Sequence, residues 1–224
     1  RPLHAERRCA SSVKNEKKEN QLMNMSKKTA VLIVDLQKCL TLENGINYYP
    51  TATEMMPRVC TQLVKMRELG AQLIYVWSKP VNSSGLTATP HANNPELSGR
   101  NLSKLAQSAD PSMLELDDRL PIDPEKDIIL NKFTYSAFWG TPLLEILEQL
   151  GVENVLVCGI KTNVCCRATA LDAVSHCFKT YMIRDMTSTN NEEIKAYHLA
   201  EIDKYFAKVI DSDEVLRRLQ EHIF

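Results

Sequence analysis

The sequence predicts an α/β fold. It reads as a three-layer doubly wound sandwich whose six-stranded, mainly parallel sheet carries helices on both faces. Three observations lead there. Short apolar runs without alternation, such as Ala30 to Val34, fit strands buried on both faces. Segments with apolar residues at helical spacing follow them. This strand-helix alternation recurs five times, which calls for parallel strands joined by crossover helices.

Each element has its own local reason. "TAVLIVD" gives the first strand, ending at Asp35. Residues 53 to 69 place apolar side chains at helical spacing until Gly70 stops them. "AQLIYVW" is a second buried strand. Residues 78 to 126 hold six of the ten prolines and little periodicity beyond a short "LSKLAQ" piece, so they read as a long excursion from the compact pattern. "DIILNK" is a third strand, ending at Lys132. "TPLLEILEQLG" is an amphipathic helix with Pro142 in its first turn and Gly151 after its end. "NVLVCG", "KTYMIRD" and "AKVID" are the remaining strands. Helices over 163 to 177, 190 to 206 and "DEVLRRLQEHI" complete the alternation.

The length of 224 residues suits one domain with a sizeable core. A net charge of −1 gives no reason to expect a nucleic-acid partner. No apolar run approaches the roughly 20 residues a membrane span needs. Residues 1 to 28 carry eight Lys/Arg against three Glu and almost no large apolar side chains. They read as a basic, disordered tail ahead of a domain over 29 to 224. The tail lacks the apolar centre of a secretory signal, and Met23 and Met25 are natural starting points within it. An intracellular, cytoplasmic protein is expected, with a mitochondrial address left open by the basic tail.

Seven cysteines is an odd number, and no CxxC spacing occurs. Reduced thiols are expected rather than a disulfide framework, and a structural zinc site is not. In doubly wound sheets ligands bind beyond the carboxyl ends of the strands. Asp35, Lys132 and Cys165 all fall on that edge: the first two end strands, and the third opens the helix after the fourth strand. Singly, each has a plainer role, as helix cap, solvated lysine and core cysteine. Together they form a chemical set. A thiol needs to become a thiolate, a helix N-terminus and an ammonium favour that charge, and a carboxylate can take the proton. Backbone N–H groups in "GIKTNVC" can receive a developing oxyanion. Such a site requires neither metal nor cofactor. Cys166 is the rival nucleophile, about 100° around the helix, and the apolar spacing does not say which of the two faces the pocket.

Three stretches, in this order and spacing, resemble the isochorismatase-like cysteine hydrolases, a superfamily that includes nicotinamidase and N-carbamoylsarcosine amidohydrolase. They are "VLIVDLQ", "NKFTYSAFWGTPL" with Lys132, Ser136, Ala137 and Phe138, and "CGIKTNVCCRATALDA". The resemblance implies a sheet of order 3-2-1-4-5-6 and a catalytic Asp35, Lys132 and Cys165. It also implies a cis peptide at Ile160–Lys161, with the N–H groups of Lys161 and Cys165 as oxyanion donors. A homo-oligomer is implied too, and the excursion and the helix after it are the expected contacts. Leu36, Gln37, Trp77, Phe138 and Trp139 are candidate pocket walls. Nicotinamidases carry a metal-binding Asp-x-His after the second strand; "VWSKP" stands there in this chain, so no metal is expected. Retention of the cysteine points to hydrolysis of a C–N bond in a small amide, ureido or carbamoyl substrate. The other reading is a catalytically silent binding or scaffold protein with the same fold. Its support is the divergent excursion and the altered "KCLTLENG" after Gln37.

Overall fold

A computed structural model of the protein describes residues 29–78 and 110–224. The basic tail, the "LSKLAQ" piece and most of the excursion lie outside the described residues. The sheet has six parallel strands in the order β3-β2-β1-β4-β5-β6. These are β1 (Thr29–Val34), β2 (Gln72–Ser78), β3 (Ile128–Lys132), β4 (Asn154–Ile160), β5 (Lys179–Ser188) and β6 (Lys208–Ile210). Between and after them run α1 (Lys38–Thr41), α2 (Pro50–Glu68), α3 (Leu143–Gln149), α4 (Arg167–Ser175), α5 (Glu192–Tyr205) and α6 (Ser212–Gln220).

The non-alternating strands do what their sequence requires. In β1, Val31 and Ile33 pack toward Met56, Val59 and Leu63 of α2 and Val215 of α6. Ala30, Leu32 and Val34 pack toward Leu143 of α3, Ala170 of α4 and Leu199 of α5. All six β1 residues are buried, and each fully buried Val, Ile or Leu contributes roughly 1.5–3 kcal/mol relative to exposure. Two layers of helix therefore enclose the sheet.

Differences from the sequence expectation have local causes. Helix α2 starts at Pro50 rather than 53, because proline serves well as a first helical residue. Pro142 caps α3 from outside rather than entering its first turn. The predicted helix over 163 to 177 divides: Thr162–Cys166 is a π-type turn, and the α-helix begins at Arg167. The N–H of Cys166 reaches back to the Lys161 carbonyl at 3.1 Å, an i→i+5 bond that widens the turn. Strand β5 outruns "KTYMIRD" by three residues, because its register against β4 breaks: Val157 faces Met182, but Gly159 faces Thr187. The short α1 and a 3₁₀ turn at Pro111–Leu114 were not foreseen.

Strand order reverses between β1 and β4, so the chain leaves their carboxyl ends in opposite directions. That junction is the expected position of a site. It is also tightly built. At Gly159 φ is +112°, and an added Cβ would sit 2.0 Å from the Val34 carbonyl oxygen. Only glycine lets β4 lie this close to β1.

Candidate active site

Asp35 follows β1 directly, with φ at +52°. Aspartate enters this left-handed region more readily than most side chains, and such backbone tends to persist where a site needs it. Its N–H donates to the Val76 carbonyl at 2.8 Å, which ties the turn to β2. One carboxylate oxygen accepts from both the backbone N–H and the hydroxyl of Ser78, each at 3.1 Å. The other faces Lys132 Nζ at 2.9 Å.

Lys132 ends β3, with its side chain wholly removed from solvent, as is that of Asp35. Its ammonium also lies 2.9 Å from Ser78 Oγ, 2.9 Å from the Thr134 carbonyl oxygen and 3.6 Å from Cys165 Sγ. Bringing two charges out of water costs several kcal/mol per ion unless close hydrogen bonds satisfy them, as they do here. Cys165 sits in the π-type turn, 1% exposed. Asp35, Lys132 and Cys165, far apart in sequence, thus meet around one ammonium.

Cys166 goes elsewhere. Its sulfur lies 3.7 Å from the Cys158 carbonyl oxygen, fully buried. Burial pushes this thiol well above the usual cysteine range, and the neighbouring Cys165 sulfur pushes the same way. Cys165 is therefore the sulfur beside the ammonium. None of the six described cysteines forms a disulfide.

The peptide Ile160–Lys161 is cis. The Lys161 carbonyl accepts from Val164 and Cys166, both at 3.1 Å, and so folds the turn that carries Cys165. Lys161 Nζ lies 5.5 Å from the Tyr49 ring centroid, a cation–π contact. A second layer braces the turn. Thr187 Oγ1 donates to the Gly159 carbonyl at 3.0 Å and lies 2.9 Å from Thr162 Oγ1. Thr189 Oγ1 donates to Asn163 Oδ1 at 2.8 Å. The Ala137 N–H donates to Thr169 Oγ1 at 3.0 Å, joining the segment after β3 to α4.

The candidate wall residues part company. Gln37 is buried, and its amide pairs with the Ser78 backbone (Nε2 to O, 3.0 Å; N to Oε1, 3.2 Å) and with the Leu114 carbonyl. Trp77 is half-buried at the end of β2. Leu36 lies in the core packed against α2. Phe138 is buried with its ring stacked 5.3 Å from His176, at the C-terminal end of α4. Trp139 is 49% exposed. Phe138 shares a buried cluster with Cys165. Sequence reasoning missed Ser78, although it ends β2 as Asp35 and Lys132 follow or end their own strands. That shared position was the available signal.

A metal of the nicotinamidase kind would need ligands at the end of β2. Trp77 and Ser78 stand there, and Ser78 is engaged with Asp35 and Lys132. No cluster of three or more His, Cys, Asp or Glu with metal-binding spacing occurs among the described residues. These residues do not fit such a metal. No helix among the described residues is long and apolar enough to cross a membrane.

Comparison with known proteins agrees with this architecture. The chain is 41% identical over 93 residues to nicotinamidase 3 of Arabidopsis thaliana, a match covering 42% of this chain and 47% of that protein. It is 28% identical over 202 residues to the ureidoacrylate amidohydrolase of Agrobacterium fabrum, covering 81% and 85% of the two chains. Among solved structures, a cysteine hydrolase from Pseudomonas syringae superposes with a TM-score of 0.78 at 24% identity, covering 88% of this chain and 94% of that one. Residues 29–214 match the Isochorismatase domain, which contains every strand and side chain of the site just described, and the chain accordingly belongs to the isochorismatase-like family of hydrolases.

Proposed function

We propose that the protein is a cysteine hydrolase that cleaves a C–N bond of a small amide, ureido or carbamoyl compound through a thioester, without a metal. The observation that carries this reading is the buried Lys132 ammonium, 2.9 Å from Asp35 and 3.6 Å from the Cys165 sulfur. Asp35 takes the thiol proton, and Lys132 favours the thiolate electrostatically. The sulfur attacks the substrate carbonyl carbon, opening its π bond toward oxygen. The N–H groups of Lys161 and Cys165 receive that oxyanion, a contribution of roughly 3 kcal/mol per donor. When the tetrahedral carbon collapses, Asp35 returns its proton to the departing nitrogen, and ammonia or an amine leaves. Water then gives a proton to Asp35 and attacks the thioester, releasing the acid and restoring the thiol.

The relatives support the substrate class, since nicotinamide and ureidoacrylate each present a carbonyl carbon bonded to nitrogen. The protein is taken to work as a homo-oligomer, which light scattering on the purified chain tests. The enzymatic reading is tested by turnover of a panel of small amides and ureides, followed by rapid quench and intact-mass measurement. An acyl adduct mapped to Cys165 is expected. A panel that includes nicotinamide and ureidoacrylate and yields neither product nor adduct would favour the silent scaffold.

A further inference from the structure

We infer that Ser78 is a positioning residue of this site: its hydroxyl holds one of Lys132's donors away from the Cys165 sulfur and steadies the Asp35 carboxylate. The inference rests on the cysteine-hydrolase reading above. It starts from a limit of valence. An ammonium has three N–H donors. Among the described residues, Lys132 Nζ has four polar neighbours: Asp35 Oδ2, Ser78 Oγ and the Thr134 carbonyl at 2.9 Å, and Cys165 Sγ at 3.6 Å. Three close oxygens use up the three donors. The sulfur holds the fourth and longest place around this ammonium, at 3.6 Å.

Ser78 sets this division from both sides. Its oxygen accepts from Lys132, so its single proton is free to donate to Asp35 Oδ1 at 3.1 Å. Its backbone N–H donates to the same oxygen. The residue is itself fixed by register, because Ser78 pairs with Lys132 across β2 and β3. Gln37 grips its backbone on both sides of the residue, through the N–H and the carbonyl. Removing only the hydroxyl does two things. It releases a Lys132 donor, which can turn to the sulfur. It also takes one donor from Asp35, leaving a more basic acceptor for the thiol proton. Hydrogen bonding to a charged form favours that form, so both changes raise the thiolate share of Cys165 at a given pH. Among the described residues, Lys132 from β3 pairs with the Asp35 carboxylate, Cys166 from the turn after β4 feels its charge, and Cys165 from the same turn lies beside Lys132. Burial keeps Cys166 protonated through the neutral range. With Ser78 in place, the resting thiol is held back, and an unprotected thiolate is the form most open to oxidation.

The test is alkylation of Cys165 by iodoacetamide from pH 5 to 10, read by peptide mass, on the full chain. It compares the wild type with Ser78→Ala and Ser78→Thr, after circular dichroism shows each folded. The expected result is a Ser78→Ala profile displaced to lower pH by about one unit, or roughly tenfold faster labelling on the acid side. Ser78→Thr keeps the hydroxyl and should follow the wild type. An unmoved Ser78→Ala profile, or equal displacement in both variants, overturns the positioning role while leaving the hydrolase reading intact. A wild-type Cys165 that resists iodoacetamide across the whole range overturns the hydrolase reading itself. If Ser78→Ala does not fold, Ser78→Cys, which keeps a weak donor, should shift the profile in the same direction by less.

Discussion

The backbone N–H of Ala137 donates to the hydroxyl of Thr169 at 3.0 Å, with both residues fully buried. This single bond joins the segment that follows Lys132 to the helix that follows Cys165. Thr169→Val keeps the shape but leaves a buried N–H without its acceptor, at a cost of about 1–3 kcal/mol. Urea unfolding should show the midpoint fall without a change in slope. Thr169→Ser should recover most of the loss, and a Val variant as stable as the wild type would show that the bond is unimportant.

The two sulfurs should separate cleanly in function. Cys165→Ala is expected to lower turnover roughly 10⁴-fold or more, as loss of a nucleophile does. Cys166→Ser should stay within about tenfold of the wild type, because its sulfur faces the Cys158 carbonyl rather than Lys132. Steady-state kinetics on the substrate found by the panel decide it. The reverse ranking would move the nucleophile to Cys166.

Asp35 and Lys132 form a buried pair, so losing either partner strands a charge. Asp35→Asn or Lys132→Met alone should destabilise the fold by about 3–5 kcal/mol. The double variant should be less destabilised than the sum of the two single ones, since no lone ion remains. Thermal and denaturant unfolding of all four proteins measures the coupling, and strict additivity would argue against a direct interaction.

Removing metals should leave activity unchanged. The end of β2 offers Trp77 and Ser78 where a nicotinamidase-type metal would need carboxylate and imidazole donors. Turnover measured after exhaustive EDTA dialysis is expected to equal that of the untreated protein. A loss that added zinc restores would contradict the metal-free mechanism.

Asp117 provides an acid-side test. Desolvation opposes its charge, but the bonds from Arg119 and Thr41 outweigh it, so its carboxyl sits below the ordinary range. A folded value lower than the unfolded one means that this stabilisation is complete above the unfolded value, about 3.9, and fades as pH falls through the folded value. Stability of the wild type should therefore drop below about pH 4. Asp117→Asn should show a shallower decline over that window, and parallel curves would show that Asp117 has no part in it.

The strands were legible because β1, β2 and β4 are uninterrupted apolar runs, a pattern that only burial on both faces explains. The far half of β5 was not, since it ends in polar Thr187 and Ser188, buried for their hydrogen bonds, Thr187 to Gly159 and Thr162 beside the Cys165 turn and Ser188 to Thr51, rather than to fill a core. The π-type turn was hidden for another reason: its residues suit a helix, and one widened hydrogen bond leaves no mark on composition. That Asp35, Lys132 and Cys165 come together was readable from strand ends and motif order. Ser78 was not, because a serine there gains meaning only from the β2–β3 register that sets it beside Lys132. Leu36 and Phe138 were singled out because they adjoin motif residues; Leu36 packs in the core against α2, and Phe138 shares a buried cluster with Cys165.

The groups of the candidate site come from the tips of four strands that lie side by side in the sheet but not in chain order: β3, β2, β1 and, through the turn after it, β4. No fragment of the polypeptide holds more than a part of the set, so a half-assembled sheet has an ordinary, sluggish thiol. Chemical competence at Cys165 is therefore a reporter of completed assembly, and during renaturation it should return in step with the last strand to dock, not with early helix content.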